Sequence, residues 1–499
     1  MGTEFMPIVF VHGWGGVSDL FRDFDDHDER DPYIGWNDGH RYNDPDGWVK
    51  LRETPNYEGM VFRLVKDYHY YDVANDESLT RLTELRAAYP APIPAGMPYH
   101  APEKTLWIFR YYEYNADHLQ LSQAVHTALR HELQARGYDG PLTGIPYYAA
   151  LLALMIRRIA GETCYTLEEL CPGALPTATG LGLQKVALVG HSMGGLIARF
   201  AIQYDLFGAQ EYVGKLATFA TPHGGARYAV ASRLLRWLPG LKQDDVMFLD
   251  PAWVNTYLGG QDPRAFHKPL PASLTERDVF CLIGTRHEGY FPVARRLPRT
   301  DGIVHQEEAY LRGFPYAYFY QTHSGIFGIR ENLAPYEALR RFLFGDLHVK
   351  IQVESVRFSA TAHHANARDR FFFRYGIKPR GINIYLNEIS EVCENQPQPR
   401  TLAALQEAVT AGRYVVYDGF ADSAALIPIA GMQMPGVAAE RAEVPHLQIE
   451  HRSYLYNAFV GGMPVGSNYT MVPLTAGVSH VNLGDQEFDF TLAVSVTHR

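Results

Sequence analysis

The run Gly190-His191-Ser192-Met193-Gly194-Gly195 carries the strongest chemical signal in the sequence. It sets small residues two positions to either side of a serine, directly after the continuous apolar stretch Val186-Ala187-Leu188-Val189. Residues 196–206 have the spacing of a helix. So tight a turn from buried strand to helix excludes side chains beside the serine. It lifts the hydroxyl above the sheet and supplies backbone N–H groups at the helix start. The chemistry this allows is nucleophilic: Ser192 attacks a carbonyl carbon, and the Met193 N–H donates to the oxyanion that forms. A base must take the hydroxyl proton, and a carboxylate must orient that base. The pattern G-x-S-x-G arises often by chance, so its weight here comes from the strand before it and the helix after it.

These elements belong to a longer alternation. Pro7-Ile8-Val9-Phe10-Val11, Leu106-Trp107-Ile108-Phe109, residues 215–220 and residues 278–283 read as further buried strands. Leu121, Val125, Leu129 and Leu133 recur at helical steps, residues 57–65 suit another helix, and residues 336–344 suit a closing one. Alternating strands and helices over residues 6–345 predict an α/β fold with a mainly parallel sheet covered on both faces. After Gly345 the texture changes. His348–Val353, parts of 382–386, 414–417 and 488–496 alternate with period two between Pro- and Gly-rich turns. That pattern predicts an all-β, sandwich-like domain over 346–499. Residues 1–5 precede a second methionine, and Glu4-Phe5 is what an EcoRI site encodes, so they read as a cloning remnant.

Two further motifs accompany the serine turn. His12-Gly13-Trp14-Gly15-Gly16 ends the first strand, and Thr221-Pro222-His223-Gly224-Gly225 follows the strand after the serine helix. With the run 190–199, they make residues 6–345 resemble an α/β-hydrolase of the lipase kind, similar to bacterial triacylglycerol lipases and GPI-inositol-deacylase-like esterases. The resemblance implies the chain order serine, acid, histidine. Asp301-Gly302-Ile303-Val304 resembles the acid-bearing turn, and His323 in Thr322-His323-Ser324-Gly325-Ile326 resembles the histidine loop. Glu288, Glu307 and Glu308 are rival carboxylates nearby; Asp301 is preferred because the run Asp301-Gly302-Ile303-Val304 carries the resemblance. The resemblance also implies an oxyanion hole of Met193 and Trp14, with Gly13 and Gly15 left open as donors. His12 is read as a brace for its loop and His223 as structural. Aromatic-rich insertions at about 17–104 and 226–275 correspond to a cap or lid.

Composition narrows the remaining possibilities. The 499 residues carry 45 Lys and Arg against 55 Asp and Glu, a formal net charge of −10. That balance argues against nucleic-acid binding, which usually needs a basic face. Apolar runs fall far short of the roughly 20 residues of a membrane span. Four cysteines exclude a disulfide scaffold, and Cys164 and Cys171 are expected as free thiols. The acidic stretch from Asp23 to Asp46 offers oxygen ligands for Ca²⁺ but lacks the spacing of a twelve-residue calcium loop, so a solvated acidic loop is the better reading. His363-His364 lacks partner ligands. No secretory signal is read, so the expected location is cytoplasmic, or export by another route. The expected activity is cofactor-free hydrolysis of a small or lipid carboxylic ester, with the C-terminal β domain open to a partner or an interface. The alternatives are a phospholipase A-type hydrolase, an acyltransferase, or an interaction protein with a vestigial site.

Overall fold

The computed structural model describes residues 5–13, 41–43, 49–51, 58–72, 102–109, 123–161, 185–226, 247–259, 274–287, 299–324, 327–358, 369–379, 385–386, 400–412, 414–422, 446–457, 461–473, 477–484 and 488–499. They fall into two compact units, one within residues 4–314 and 321–336, the other within 315–320 and 337–499.

The first unit is built on β1 (Ile8–Val11), β4 (Tyr71–Asp72), β5 (Thr105–Phe109), β6 (Val186–His191), β7 (Val213–Phe219) and β8 (Val279–Gly284), with β2 (Arg41–Asn43) and β3 (Val49–Leu51) forming a separate antiparallel pair. The six strands run parallel in the order β4-β5-β1-β6-β7-β8. Every residue of β1, β5, β6 and β8 is buried, as the unbroken apolar runs predict for a sheet covered on both faces. Helices α1 (Glu58–Tyr68), α2 (Gln123–Ala135), α3 (Gly144–Ala160), α4 (Met193–Gln203) and α5 (Pro251–Val254) accompany it. In α2, Val125, Leu129 and Leu133 form the buried stripe that the spacing predicts. Helix α4 starts three residues before the apolar spacing suggests, because its first turn contains Gly194 and Gly195, and the chain tightens into a 3₁₀ stretch at Leu206–Tyr212.

The second unit holds β9 (Tyr316–Phe319), β10 (Leu347–Phe358), β11 (Arg370–Pro379), β12 (Val415–Ala421), β13 (His446–Asn457), β14 (Gly461–Pro473), β15 (Gly477–Gly484) and β16 (Phe488–His498). These strands pair antiparallel in the orders β9-β12-β10-β16-β15 and β11-β13-β14. The period-two alternation is explicit in β10. Val349, Ile351 and Val353 face a core with Phe371, Phe373, Tyr414, Phe490 and Val494, while His348 and Lys350 lie on the other side. The closing helix α6 (Leu333–Phe344) has its residues from Glu337 onward in this unit. A second helix, α7 (Leu402–Thr410), adds Leu405, Ala408 and Val409 to the core, so the β-rich region is not built from strands alone. Of the alternation expected at 382–386, Tyr385 and Leu386 are described and form no strand; the Leu386 N–H turns back onto the Ile377 carbonyl. Among the described residues, no helix is long and apolar enough to cross a membrane.

Candidate active site

The serine turn is built where β1 and β6 end. Their register pairs Val11 with Gly190, which brings the start of the His12-Gly13 loop level with the start of the turn. Ser192 has φ 51° and ψ −125°, a left-handed conformation that costs a non-glycine residue on the order of 1–3 kcal/mol. Its N–H donates to the Phe219 carbonyl at 2.9 Å, which ties the turn to β7. Close packing explains the flanking glycines. A Cβ at Gly190 would lie 2.6 Å from the Gly195 Cα, and one at Gly194 would run into the Val11 and His12 carbonyl oxygens. Met193 is the first residue of α4, so its N–H is among the helix N–H groups that no intrahelical carbonyl satisfies.

Beyond β8 the chain returns to the same end of the sheet. Asp301 is 1% exposed, and its carboxylate is held from two sides. Oδ1 accepts the N–H groups of Ile303 at 3.0 Å and Val304 at 2.7 Å, while Oδ2 accepts the Nδ1–H of His323 at 2.8 Å. The turn passes through Gly302 at φ 106°, a conformation glycine adopts without strain. His323, 4% exposed, is fixed by its backbone as well. Its N–H donates to the Asp301 carbonyl at 2.9 Å, and its own carbonyl accepts the Nε2–H of His191, also at 2.9 Å. In the tautomer that donates from Nδ1 to the carboxylate, Nε2 is the acceptor nitrogen of the ring.

The structure thus joins Asp301 to His323 and fastens the His323 loop to the residue before Ser192. Trp14 lies outside the described residues, as do Gly15 and Glu288. Gly13 is described, and a Cβ placed on it would come 3.0 Å from the Ser192 Cβ. Of the rival carboxylates, Glu307 is exposed, 4.0 Å from Arg299, and Glu308 lies beside Gly224, whose N–H its carbonyl accepts. His12 is buried at the mouth of its loop. His223 is fully buried: its Nε2 meets the Thr218 hydroxyl at 3.0 Å, and the Arg199 guanidinium donates to its carbonyl. Burial, with Arg199 nearby, holds the His223 ring well below the ordinary histidine range.

Within the second insertion, the part at 247–259 packs Trp253 against Phe200 of α4 and against Phe248. Residues 227–246 and 260–273 lie outside the described residues, as does 17–101 except for 41–43, 49–51 and 58–72. So do the acidic stretch except 41–43, Cys164 and Cys171, and the His363-His364 pair. Among the described residues, no three His, Cys, Asp or Glu side chains come together as a metal site. Sequence reasoning passed over two groups at the site. His191 occupies a variable position of the serine motif, and buried Arg330 follows the histidine loop. The only sequence signal for His191 was its place beside Ser192.

Comparison with known proteins bears on the fold. A family model described as a PGAP1-like alpha/beta domain matches residues 150–243, the span that holds the serine turn and Thr221–Gly225. Among solved structures, the chain is similar to the mature form of the Bacillus licheniformis lipase BlEst2, at 21% identity over 43% of this chain and 83% of that one, with a TM-score of 0.30. Another is phospholipase PlaB from Legionella pneumophila in complex with thio-NAD, at 12% identity over 94% and 90%, with a TM-score of 0.33. A third is the lin2722 gene product of Listeria innocua, at 12% identity over 68% and 93%, with a TM-score of 0.27. No curated protein matches the chain. Strand order, the serine turn and the family match agree on an α/β-hydrolase fold, with an antiparallel β region after it.

Proposed function

We propose that the protein is a serine hydrolase of carboxylic esters, of the lipase and esterase kind, with Ser192 as nucleophile, His323 as base and Asp301 as its orienting acid. The observation that carries the reading is the His323–Asp301 hydrogen bond of 2.8 Å on loops fastened to a strained serine turn. In the first step the Ser192 hydroxyl proton passes to His323 Nε2 while Oγ bonds to the ester carbon. The carbonyl electrons move to oxygen, where the Met193 N–H and a donor from the 13–15 loop, Trp14 by preference, stabilise the charge. The bond to the leaving alkoxide breaks, and His323 returns the proton to it. Water then gives a proton to His323 as its oxygen bonds to the acyl carbon; the bond from that carbon to Ser192 Oγ breaks, His323 returns the proton to Oγ, and the acid leaves.

A fluorophosphonate probe tests this directly. Wild type is expected to label stoichiometrically and Ser192→Ala not at all; equal labelling of both would remove the assignment. Hydrolysis of p-nitrophenyl esters of increasing chain length, run beside a phospholipid, sorts the substrate class. Turnover confined to short soluble chains marks an esterase, and release of fatty acid from phospholipid marks a phospholipase A.

A further inference from the structure

His191 touches three parts of the site and has no place in the reaction written above. It ends β6 in register with Phe219 and directly precedes Ser192. Its Nε2–H donates to the His323 carbonyl at 2.9 Å, and the two rings lie 4.7 Å apart, inclined by 50°. On its other side Nδ1 faces the first loop: a Cβ at Gly13 would come 2.5 Å from that nitrogen. The ring is 3% exposed, and its Nδ1 has no hydrogen-bond partner among the described residues.

Resting on the triad reading, we propose that His191 is a positioning residue that holds the His323 loop and the Gly13 loop at fixed distances from Ser192. His323 is gripped at its N–H and Nδ1 by Asp301 and at its carbonyl by His191, so three bonds fix the direction of Nε2. Of these, the His191 bond is the one that runs to the nucleophile's own turn. Without it, Asp301 and His323 can shift together relative to Ser192 while keeping their mutual bond. Displacements on the order of 1 Å in such a site cost about 10²-fold in rate.

The charge state suits this role. Burial first, then the positive charge of Arg330 and the neighbouring His323 and His12 rings, keep His191 neutral, well below the ordinary histidine range. A neutral ring with its proton on Nε2 donates at all working pH values. It also adds no second positive charge beside His323 when that ring takes up the Ser192 proton.

His191→Phe keeps a ring of similar size and removes the donor, while His191→Gln restores an amide N–H near the position of Nε2. Each is measured as kcat and KM on p-nitrophenyl butyrate, normalised to the fraction of sites a fluorophosphonate titrates. The phenylalanine variant is expected to lose about 30-fold in kcat, with KM within about twofold of wild type, and the glutamine variant to recover most of that loss. A part that only fills space would lower the titratable fraction and the melting temperature and leave kcat per titrated site unchanged. Equal kcat in the Phe and Gln variants, or wild-type kcat in the Phe variant, overturns the proposal. If the Phe variant does not fold, His191→Asn takes its place, since its shorter amide falls short of the carbonyl, and Gln is still expected above Asn. Ser192→Ala runs alongside. If it still hydrolyses the ester, the triad reading has failed; if it is dead and the His191 variants do not differ, only the role of His191 has.

Discussion

The two units each hold a histidine hydrogen-bonded to an aspartate, and the bonds are of nearly equal length. In the first, His323 Nδ1 meets Asp301 at 2.8 Å; in the second, His348 Nε2 meets Asp418 at 2.6 Å. Their surroundings differ. Asp301 takes two backbone N–H groups on its other oxygen, and its partner's loop is bonded to a strained serine turn. The Asp418 carboxylate instead faces Lys350, 3.7 Å away across the β10–β12 register, where His348 pairs with Phe420 and Lys350 with Asp418. One pair is built from turns fastened to the proposed nucleophile. The other is a cross-strand contact on the face of a sheet opposite its core. A short His–Asp bond therefore says little about catalysis until the third member is found.

The sharpest way to break that contrast is to neutralise each acid in turn. Asp301→Asn should leave the fold intact and lower kcat by about 10⁴, because the amide favours the wrong tautomer of His323. Asp418→Asn should leave kcat within about twofold on the same ester. A large loss from the second substitution, or none from the first, would reverse the two assignments.

Acid separates buried from surface histidines as well. His191 and His223 are both held neutral in the folded chain by burial. Unfolded, they take up protons near pH 6.5, so the unfolded state binds more protons as the pH falls. The stability this burial leaves intact above that value is lost below it, at about 1.4 kcal/mol per pH unit for each histidine. Denaturant unfolding at pH 7.5, 6.0 and 5.0 should show the fall, and His223→Gln should reduce its slope by about half of the two-histidine share. An unchanged slope would mean that His223 is protonated in the folded state.

How much of this was legible in sequence depends on how local the constraint is. The serine turn stood out because the approach of Gly190 to Gly195, and of Gly194 to the ends of β1, forbids side chains, and those constraints fall within a few residues. Strands β1, β5, β6, β7 and β8 were readable as apolar runs. Helix α3 was not, because 14 of its 17 residues are buried; a helix wrapped on all sides has no polar face and so no 3.6-residue period. The tie between His191 and His323 spans 132 residues and involves a backbone carbonyl, which leaves no trace in side-chain type.

Breaking the second pair outright should act on stability rather than on chemistry. Asp418→Ala removes a charged acceptor from His348 and Lys350 at a site where Asp418 is still 8% exposed, so a loss of about 1–3 kcal/mol is expected in denaturant unfolding. If kcat per folded molecule fell with it, the cross-strand pair would matter to the reaction.

A limited effect on chemistry is expected from removing residues 346–499, since every residue proposed to act on the ester lies in the first unit. The cut is not clean in packing terms. From Glu337 onward α6 belongs to the second unit. Leu339 and Phe342 are fully buried there, the Phe342 ring lies 5.0 Å from Phe420, and its carbonyl accepts from the Arg499 guanidinium. Arg341 in the same helix donates to the Leu386 carbonyl. A 6–345 fragment therefore keeps a helix stripped of its own core and exposes its apolar face, which favours aggregation. Solubility and chemistry must be read separately, by sedimentation and by turnover per fluorophosphonate-titrated site. In the soluble fraction, kcat on p-nitrophenyl butyrate is expected within about tenfold of the full chain, a barrier change of at most ~1.4 kcal/mol. A folded fragment that titrates with the probe and no longer turns over would place part of the catalytic machinery in the second unit, and the contrast between the two histidine–aspartate pairs would have to be redrawn.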